Sequence, residues 1–251
     1  ALIGAGNAAN ALGRSLKKGG ARVSAVWSRD PRKARSLAKR IGAVAITEIT
    51  EIPRDLDLYL IAVKDDEVRN IASQLNPGSG TVAHLSGSLE MAVFKKKFRN
   101  YGVLWPVMTF SPKNRNRIMN FPLVIHANTQ AALRTLKRAA SLLHGKVHVL
   151  TEKQRATAHL AAVFANNFGN HMVFLSQKIL AKGGAPAGLL NDLIRETTRL
   201  ALLGKANRVQ TGPAVRQDLK TMLLHRKSLK NNKLTKLIYK TVSQSIVKNK
   251  D

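Results

Sequence analysis

The chain has 251 residues, 44% of them hydrophobic and none of them cysteine, so it can bury a core but excludes a disulfide framework and a thiolate metal site. It carries 42 Lys and Arg against 14 Asp and Glu, a formal charge of +28. The excess is dispersed, with +15 over residues 1–150 and +13 over residues 151–251. Such a charge predicts nonspecific attraction to nucleic acid. Only 5% of the residues are aromatic, which excludes a protein that binds single-stranded nucleic acid by stacking bases on aromatic side chains.

Strand-like and helix-like segments alternate through the first 150 residues, which predicts an α/β domain with a Rossmann-like, doubly wound parallel sheet. Asp30 and Pro31 have the N-cap and N1 positions of a helix, and LYLIAV at 58–63 is typical of a strand buried on both faces. The predicted strands begin at residues 2, 23, 43, 58, 81, 102, 123 and 147, and the predicted helices span 7–18, 31–41, 66–75, 89–98 and 129–144.

Residues 151–251 predict a smaller, all-helical domain for substrate binding and dimerisation. A capping box at Thr151–Gln154 starts a helix that we expect to continue for about 30 residues, to Gly183 and Gly184. Further helices are predicted over Leu189–Leu203, from Gly212-Pro213 onward, and over Leu234–Val247. A helical domain of this size leaves apolar faces uncovered, so we expect a homodimer formed through it.

The sequence GAGNAA at 4–9 follows a strand and starts a helix, the pattern of a dinucleotide-binding turn. In such a turn Gly4 permits the tight bend, Gly6 lets backbone amides approach a pyrophosphate, and the helix N-terminus supplies positive potential. The alternative is a plain tight turn. The second strand ends in Ser28 and Arg29, which suit a 2′-phosphate and therefore predict NADP, whereas Asp30 is the competing acid for NAD. The predicted cofactor-binding residues are Gly4, Gly6, Asn7, Ala8, Ser28, Arg29, Val63 and Lys64.

Polar side chains interrupt the long apolar helix in HLAAVFANNFGNH, residues 159–171. Spacings of seven and four place His159, Asn166 and Asn170 on one face of a regular helix, as the lining of a polar cavity or as a buried structural network. We interpret these three as the catalytic residues. Further polar groups follow strands or precede helices, where they can bind a substrate. The alternative roles there are helix capping or, for the arginine, an ordinary surface position. The histidines show no spacing typical of metal ligands. The predicted substrate-binding residues are Ser86, Pro106, Thr109, Thr211 and Arg216.

Motifs along the whole chain resemble one family: GAGNAA at 4–9, LYLIAVKDDEV at 58–68, HLSGS at 84–88, YGVLWPVMTFS at 101–111, HLAAVFANNFGNH at 159–171 and QTGPAVR at 210–216. They are similar to the Rossmann-like proteins whose helical domain is named domain of unknown function 2520, described as NADP-dependent oxidoreductases. The resemblance implies a relation to pyrroline-5-carboxylate reductase, ketopantoate reductase, prephenate dehydrogenase and the β-hydroxyacid dehydrogenases. In the last of these, a catalytic lysine precedes an asparagine by four residues. The corresponding positions here are Val163 and Asn167, so His159 is the substitute proton donor that we expect.

The sequence therefore predicts an oxidoreductase that transfers a hydride between NADP(H) and a small carbonyl or imine substrate in a cleft between the domains. A noncatalytic NADP-binding sensor or scaffold is the alternative, and a nucleic-acid-associated basic protein is the third hypothesis. No apolar run reaches the length of a membrane span and no signal peptide is visible, so we expect a cytoplasmic protein without a membrane partner. Because the chain starts on ALIGAGN without Met, we also expect a few residues to precede it.

Overall fold

The computed structural model describes residues 1–112, 120–204 and 206–249. The chain forms two compact units, Ala1–Ala165 and Asn166–Asp251. The sequence places a domain boundary after residue 150, whereas contacts between residues group the helix that follows with the first unit. That helix carries His159.

An eight-stranded sheet forms the centre of the first unit within the described residues. The strands are β1 Leu2–Ile3, β2 Ala25–Trp27, β3 Val44–Ile46, β4 Leu58–Ile61, β5 Thr81–His84, β6 Tyr101–Pro106, β7 Leu123–Ala127 and β8 Val147–Val149. Their order in the sheet is β3-β2-β1-β4-β5-β6-β7-β8, so β1 lies between β2 and β4. Neighbouring strands are parallel except for β6 and β7, which are antiparallel. The Rossmann-like, doubly wound sheet predicted from the alternation is therefore confirmed, with one antiparallel pair among its parallel strands.

Two helices of the first unit have the capping residues that the sequence predicts. The Asp30 carboxylate accepts the Arg32 amide, and Gly42 at the end of the same helix has a left-handed backbone. The Thr151 hydroxyl and the Gln154 side chain form the predicted capping box. The helices are α1 Asn7–Lys18, α2 Pro31–Ile41, α3 Val68–Gln74, α4 Gln130–Leu142 and α5 Glu152–Ala162.

Hydrophobic side chains cover the two faces of the sheet in separate clusters. One cluster packs α1, α2 and α4 against one face through residues such as Leu12, Leu37 and Leu136. The other packs α3 and the segment Met91–Phe94 against the opposite face. With helices on both faces, the carboxyl ends of the parallel strands are left as the edge where loops gather.

Two predicted helices of the first unit differ from the structure. Asp65–Glu67 is a 3₁₀ turn that precedes α3, and of the helix predicted over 89–98 only a 3₁₀ segment forms, Met91–Phe94. The amide of Met91 donates to the Glu152 carboxylate at 2.8 Å. A bond to a distant residue therefore ties this segment to α5, which sequence periodicity does not predict.

The second unit is helical in its described residues, with α6 Gly169–Lys182, α7 Asn191–Leu203, α8 Leu219–Ser228 and α9 Lys233–Lys248. The helical stretch of about 30 residues predicted to start at Thr151 and to end at Gly183 forms, but it contains a π-helical segment, Val163–Phe168, between α5 and α6. The helix predicted to begin at Gly212-Pro213 begins instead at Leu219, where the Asp218 carboxylate accepts the amide of Thr221. In the described part of the chain, no helix has the length and apolar character to span a membrane.

Candidate functional site

The turn between β1 and α1 has the geometry that its glycines predict. Gly4 has φ +120°, and a Cβ there would lie 2.3 Å from the Ala62 carbonyl oxygen, so no other residue fits. Gly6 caps α1 in an extended conformation, and a Cβ there would meet no atom within 4 Å. The space in front of Gly6 and the free amides of the helix N-terminus can accept a pyrophosphate.

Asn10 holds this turn in place, which sequence reasoning missed. Its buried amide donates to the carbonyl oxygens of Ala5 and Gly6, at 3.0 Å each. Asn7, at the start of α1, donates to the Phe110 carbonyl oxygen at 3.4 Å, and Ala8 is half-buried beside it. The signal for Asn10 was a polar residue on the apolar face of α1.

The predicted 2′-phosphate site lies at the end of β2. Ser28 is half-buried and Arg29 is exposed, and the Arg29 guanidinium donates to the Glu67 carboxylate at 2.8 Å. On the other side of Gly4, after β4, the Val63 Cγ1 atom would lie 3.4 Å from a Cβ placed on Gly4, and Lys64 precedes the 3₁₀ turn. The predicted cofactor-binding residues of this unit therefore surround one turn.

A polar loop, Ser86-Gly87-Ser88, follows β5 at the same edge of the sheet. The Ser86 hydroxyl donates to the Asp65 carboxylate at 2.6 Å and accepts the amides of Ser88 and Leu89. Ser88 donates to the same carboxylate oxygen at 3.0 Å. Ser86 rather than Ser88 therefore caps the loop, and its hydroxyl is held in a fixed direction.

Arg155 on α5 binds this loop from the helix side, although its local sequence resembles that of a surface arginine. Its side chain is 1% exposed. Its guanidinium donates to the carbonyl oxygens of Ser86 at 3.1 Å and Leu89 at 2.7 Å, and to the Glu152 carboxylate at 3.2 Å. Burial lowers the pKa of Arg155, and Glu152 offsets part of that shift. Such a buried cation is retained only where several acceptors satisfy it.

His159 lies one helical turn beyond Arg155 on the same face of α5. Its ring makes an edge-to-face contact with Trp105, with ring centres 5.6 Å apart. Its Nδ1 lies 2.6 Å from where a Cβ on Gly87 would stand, so the absence of that Cβ is what admits the imidazole. The half-buried His159 thus lies between the loop after β5 and the end of β6.

Beneath the loop, His84 is fully buried at the end of β5. Its Nδ1 accepts the Ser86 amide at 3.2 Å. Burial, and then the nearby Arg155 cation, lowers the pKa of His84 to about 4. His84 is therefore neutral at physiological pH, and its ring supports the loop by accepting the Ser86 amide.

The remaining predicted residues divide between the two units. Pro106 is buried at the end of β6 and Thr109 is exposed just after it, both in the first unit. Thr211 and Arg216 are exposed in the second unit, as are Asn166 and Asn170. The placement of His159, Asn166 and Asn170 on one face assumed a regular α-helix, and the π-helical segment changes that register. In the described residues no group of three His, Asp or Glu could hold a metal ion.

Comparisons with known proteins match two family models to different parts of the chain. Residues 121–246 match the family model described as domain of unknown function (DUF2520), and residues 1–83 match the model described as NADP oxidoreductase coenzyme F420-dependent. The solved structure of a putative NADP oxidoreductase from Bacteroides fragilis is 32% identical, covers 99% of this chain and 97% of its own, and superposes with a TM-score of 0.88. The chain belongs to the DUF2520 family.

Other solved structures share the fold of this DUF2520 protein at lower identity. A protein from Thermotoga maritima is 23% identical over 98% of this chain and 95% of its own, with a TM-score of 0.74. Pyrroline carboxylate reductase from Plasmodium falciparum, solved with NADP bound, is 14% identical over 99% and 95%, with a TM-score of 0.61. No curated protein matches the chain. The oxidoreductase class and the NADP cofactor predicted from the sequence are confirmed at the level of the family.

Proposed function

We propose that this DUF2520 protein transfers a hydride between NADP(H) and a small carbonyl or imine substrate, with His159 as the proton donor. The main support is that the Gly4–Gly6 turn follows β1, and that His159 packs against Trp105 at the end of β6 and against Gly87 just after β5. Because β1, β4, β5 and β6 are parallel, these residues lie at the same carboxyl edge of one sheet, where doubly wound folds bind their ligands. When bound, NADPH would supply the hydride, and NADP⁺ would accept it in the reverse direction.

The residues of the first unit fit this cofactor. Gly4 and Gly6 leave room for a pyrophosphate at the start of α1, and Ser28 and Arg29 offer a hydroxyl and a guanidinium to a 2′-phosphate. Val63 and Lys64 border the same turn.

On the substrate side, Trp105 and the Ser86–Ser88 loop hold the imidazole of His159 in a half-buried position. Each imidazole nitrogen can carry a proton, so the ring can donate one to the oxygen or nitrogen of a polarised double bond. Ser86, Pro106 and Thr109 border this edge, whereas the involvement of Asn166, Asn170, Thr211 and Arg216 stays a prediction, as does the location of the substrate between the domains.

The test is NADPH oxidation with a panel of keto acids and cyclic imines, in the unaltered chain and in His159→Ala. We expect turnover with at least one class and a loss of about 10²–10⁴-fold in His159→Ala with NADPH affinity retained. His148→Ala, an exposed histidine of β8, is the matched control and should be unchanged. Turnover that is indifferent to His159 would overturn the assignment of the donor.

A noncatalytic NADP-binding role is the second candidate, because Val163 stands where the related dehydrogenases carry a catalytic lysine. Tight NADPH binding without turnover on any member of the panel would favour this role. Absence of NADPH binding would overturn both candidates.

We also propose that a second copy of the chain covers the helical unit. No residue of α6, α7 or α8 is buried, and Leu202, Leu219 and Leu234 are 82%, 75% and 75% exposed. Burying a leucine side chain contributes about 1.5–3 kcal/mol, so this surface favours association strongly. Repulsion between two chains of charge +28 opposes it and weakens with salt.

Light scattering at 0.15 M salt should therefore give twice the 27.4 kDa chain mass. Leu202→Glu should shift the mass towards the monomer, whereas Val44→Glu, an equally drastic change at an exposed residue of β3, should not. A monomer at every salt concentration would refute this assembly.

A further inference from the structure

An ion pair joins the two segments on either side of the cofactor turn. Arg29 follows β2 and Glu67 ends the 3₁₀ turn after β4, and their side chains approach to 2.8 Å. Because β2 and β4 both pair with β1, this contact connects the segments that flank Gly4. The two side chains are 66% and 28% exposed, so a ligand can reach them.

The charges around Arg29 make Glu67 its particular partner. The two other cations near the end of β2, Arg32 and Lys33, face Asp30 of their own segment at 3.4 and 3.9 Å. Arg29 is instead paired by a carboxylate from another strand connection.

The position of Glu67 is also fixed from behind. Asp65, two residues earlier in the same 3₁₀ turn, accepts hydrogen bonds from Ser86 and Ser88 on the β5 side. The turn therefore directs one carboxylate to the β5 loop and another to Arg29. The Glu67 carboxylate is therefore positioned against the Arg29 guanidinium without a bound cofactor.

We propose that Glu67 sets the selectivity of this site between dinucleotides with and without a 2′-phosphate, because its carboxylate competes with that phosphate for Arg29. The inference rests on the proposed NADP site. A 2′-phosphate must displace or share the carboxylate and is repelled by it, whereas a 2′-hydroxyl can donate to it. Glu67 thus reduces the preference for NADP that Arg29 alone would produce.

Calorimetric titration with NADPH and with NADH at 0.15 M salt tests this. An exposed ion pair contributes little, so we expect Glu67→Gln to raise the ratio of the NADH to the NADPH dissociation constant by about two- to fivefold. Repeating the titration with 2′-AMP and 5′-AMP should give the same direction, because these probes carry the competing groups without the rest of the cofactor.

Asp66→Asn is the matched control, since it removes one negative charge from the neighbouring exposed residue. It should leave the ratio within twofold of its original value. In an Arg29→Gln background, Glu67→Gln should also leave the ratio of the NADH to the NADPH dissociation constant within twofold. The carboxylate and the phosphate then have no guanidinium to compete for.

The outcomes separate the inference from the proposed function. An unchanged ratio in Glu67→Gln, with NADPH still bound, overturns the role of Glu67 alone. Equal rises in Asp66→Asn and Glu67→Gln assign the effect to the general field and also overturn it. A full rise in the Arg29→Gln background overturns competition for Arg29. Failure of the unaltered chain to bind NADPH overturns the proposed function.

Discussion

Replacement of Arg155 by methionine tests whether the buried guanidinium holds α5 to the loop after β5. Arg155→Met removes three hydrogen bonds and leaves the carbonyl oxygens of Ser86 and Leu89 without their donor. An unsatisfied buried acceptor costs about 1–3 kcal/mol, and the methionine side chain keeps most of the apolar packing. We therefore expect the free energy of unfolding to fall by about 2–4 kcal/mol, with about half of that loss in Arg155→Lys.

The assay is urea unfolding followed by circular dichroism, at one pH and one protein concentration because association affects apparent stability. Arg195→Met is the matched control, since Arg195 is an exposed arginine paired with Asp192 within α7, and it should change stability by less than about 0.5 kcal/mol. Hydrogen exchange at Ser88, Leu89 and Met91 should accelerate in Arg155→Met. Unchanged or increased stability would refute the reasoning, because desolvation of the guanidinium would then outweigh its hydrogen bonds.

Acid stability and the glycine turn allow further predictions. The pKa of His84 is lowered to about 4 in the folded chain against about 6.5 when unfolded, so its neutral form contributes stability that is complete above pH 6.5 and is lost as pH falls towards 4. His84→Asn keeps an acceptor for the Ser86 amide but removes the titrating group. Between pH 7 and pH 4 the unfolding free energy of this variant should therefore fall by about 3 kcal/mol less than that of the unaltered chain. Identical pH profiles of the two proteins would contradict this. Gly4→Ala should lower the unfolding free energy by at least 2 kcal/mol, since its Cβ would overlap the Ala62 carbonyl at a positive φ. Gly6→Ala should leave stability within about 0.5 kcal/mol but weaken NADPH binding tenfold or more, and equal effects of the two glycine variants on stability would refute the distinction.

The features that sequence predicted best are those with local causes. The Gly4 turn needs a positive φ, Asp30 caps the helix that Pro31 begins, and Thr151 forms a capping box with Gln154. Each depends on residues within a few positions of one another, so the sequence contains the whole signal.

The features that it missed depend on distant partners. Arg155 resembles a surface arginine in a chain with 42 basic residues, and only packing shows that it is buried against the β5 loop. A long connection joins β6 to β7, and a connection of that length allows either a parallel or an antiparallel pair. The antiparallel direction of β7 therefore could not be predicted from the sequence. Residues 163–168 contain no proline or glycine that would indicate a π-helical segment. The prediction that His159, Asn166 and Asn170 share one face therefore assumed a regular α-helix, which the structure does not have there.

Arg155 recognises the loop after β5 through main-chain carbonyl oxygens, which every amino acid carries. The attachment of α5 to the loop, and with it the position of His159 beside the loop, therefore depends little on which side chains the loop carries. Substitutions at Ser88 or Leu89 can alter what the site accepts without releasing the helix that bears the proposed proton donor. Loop side chains can therefore change while the frame around the imidazole persists.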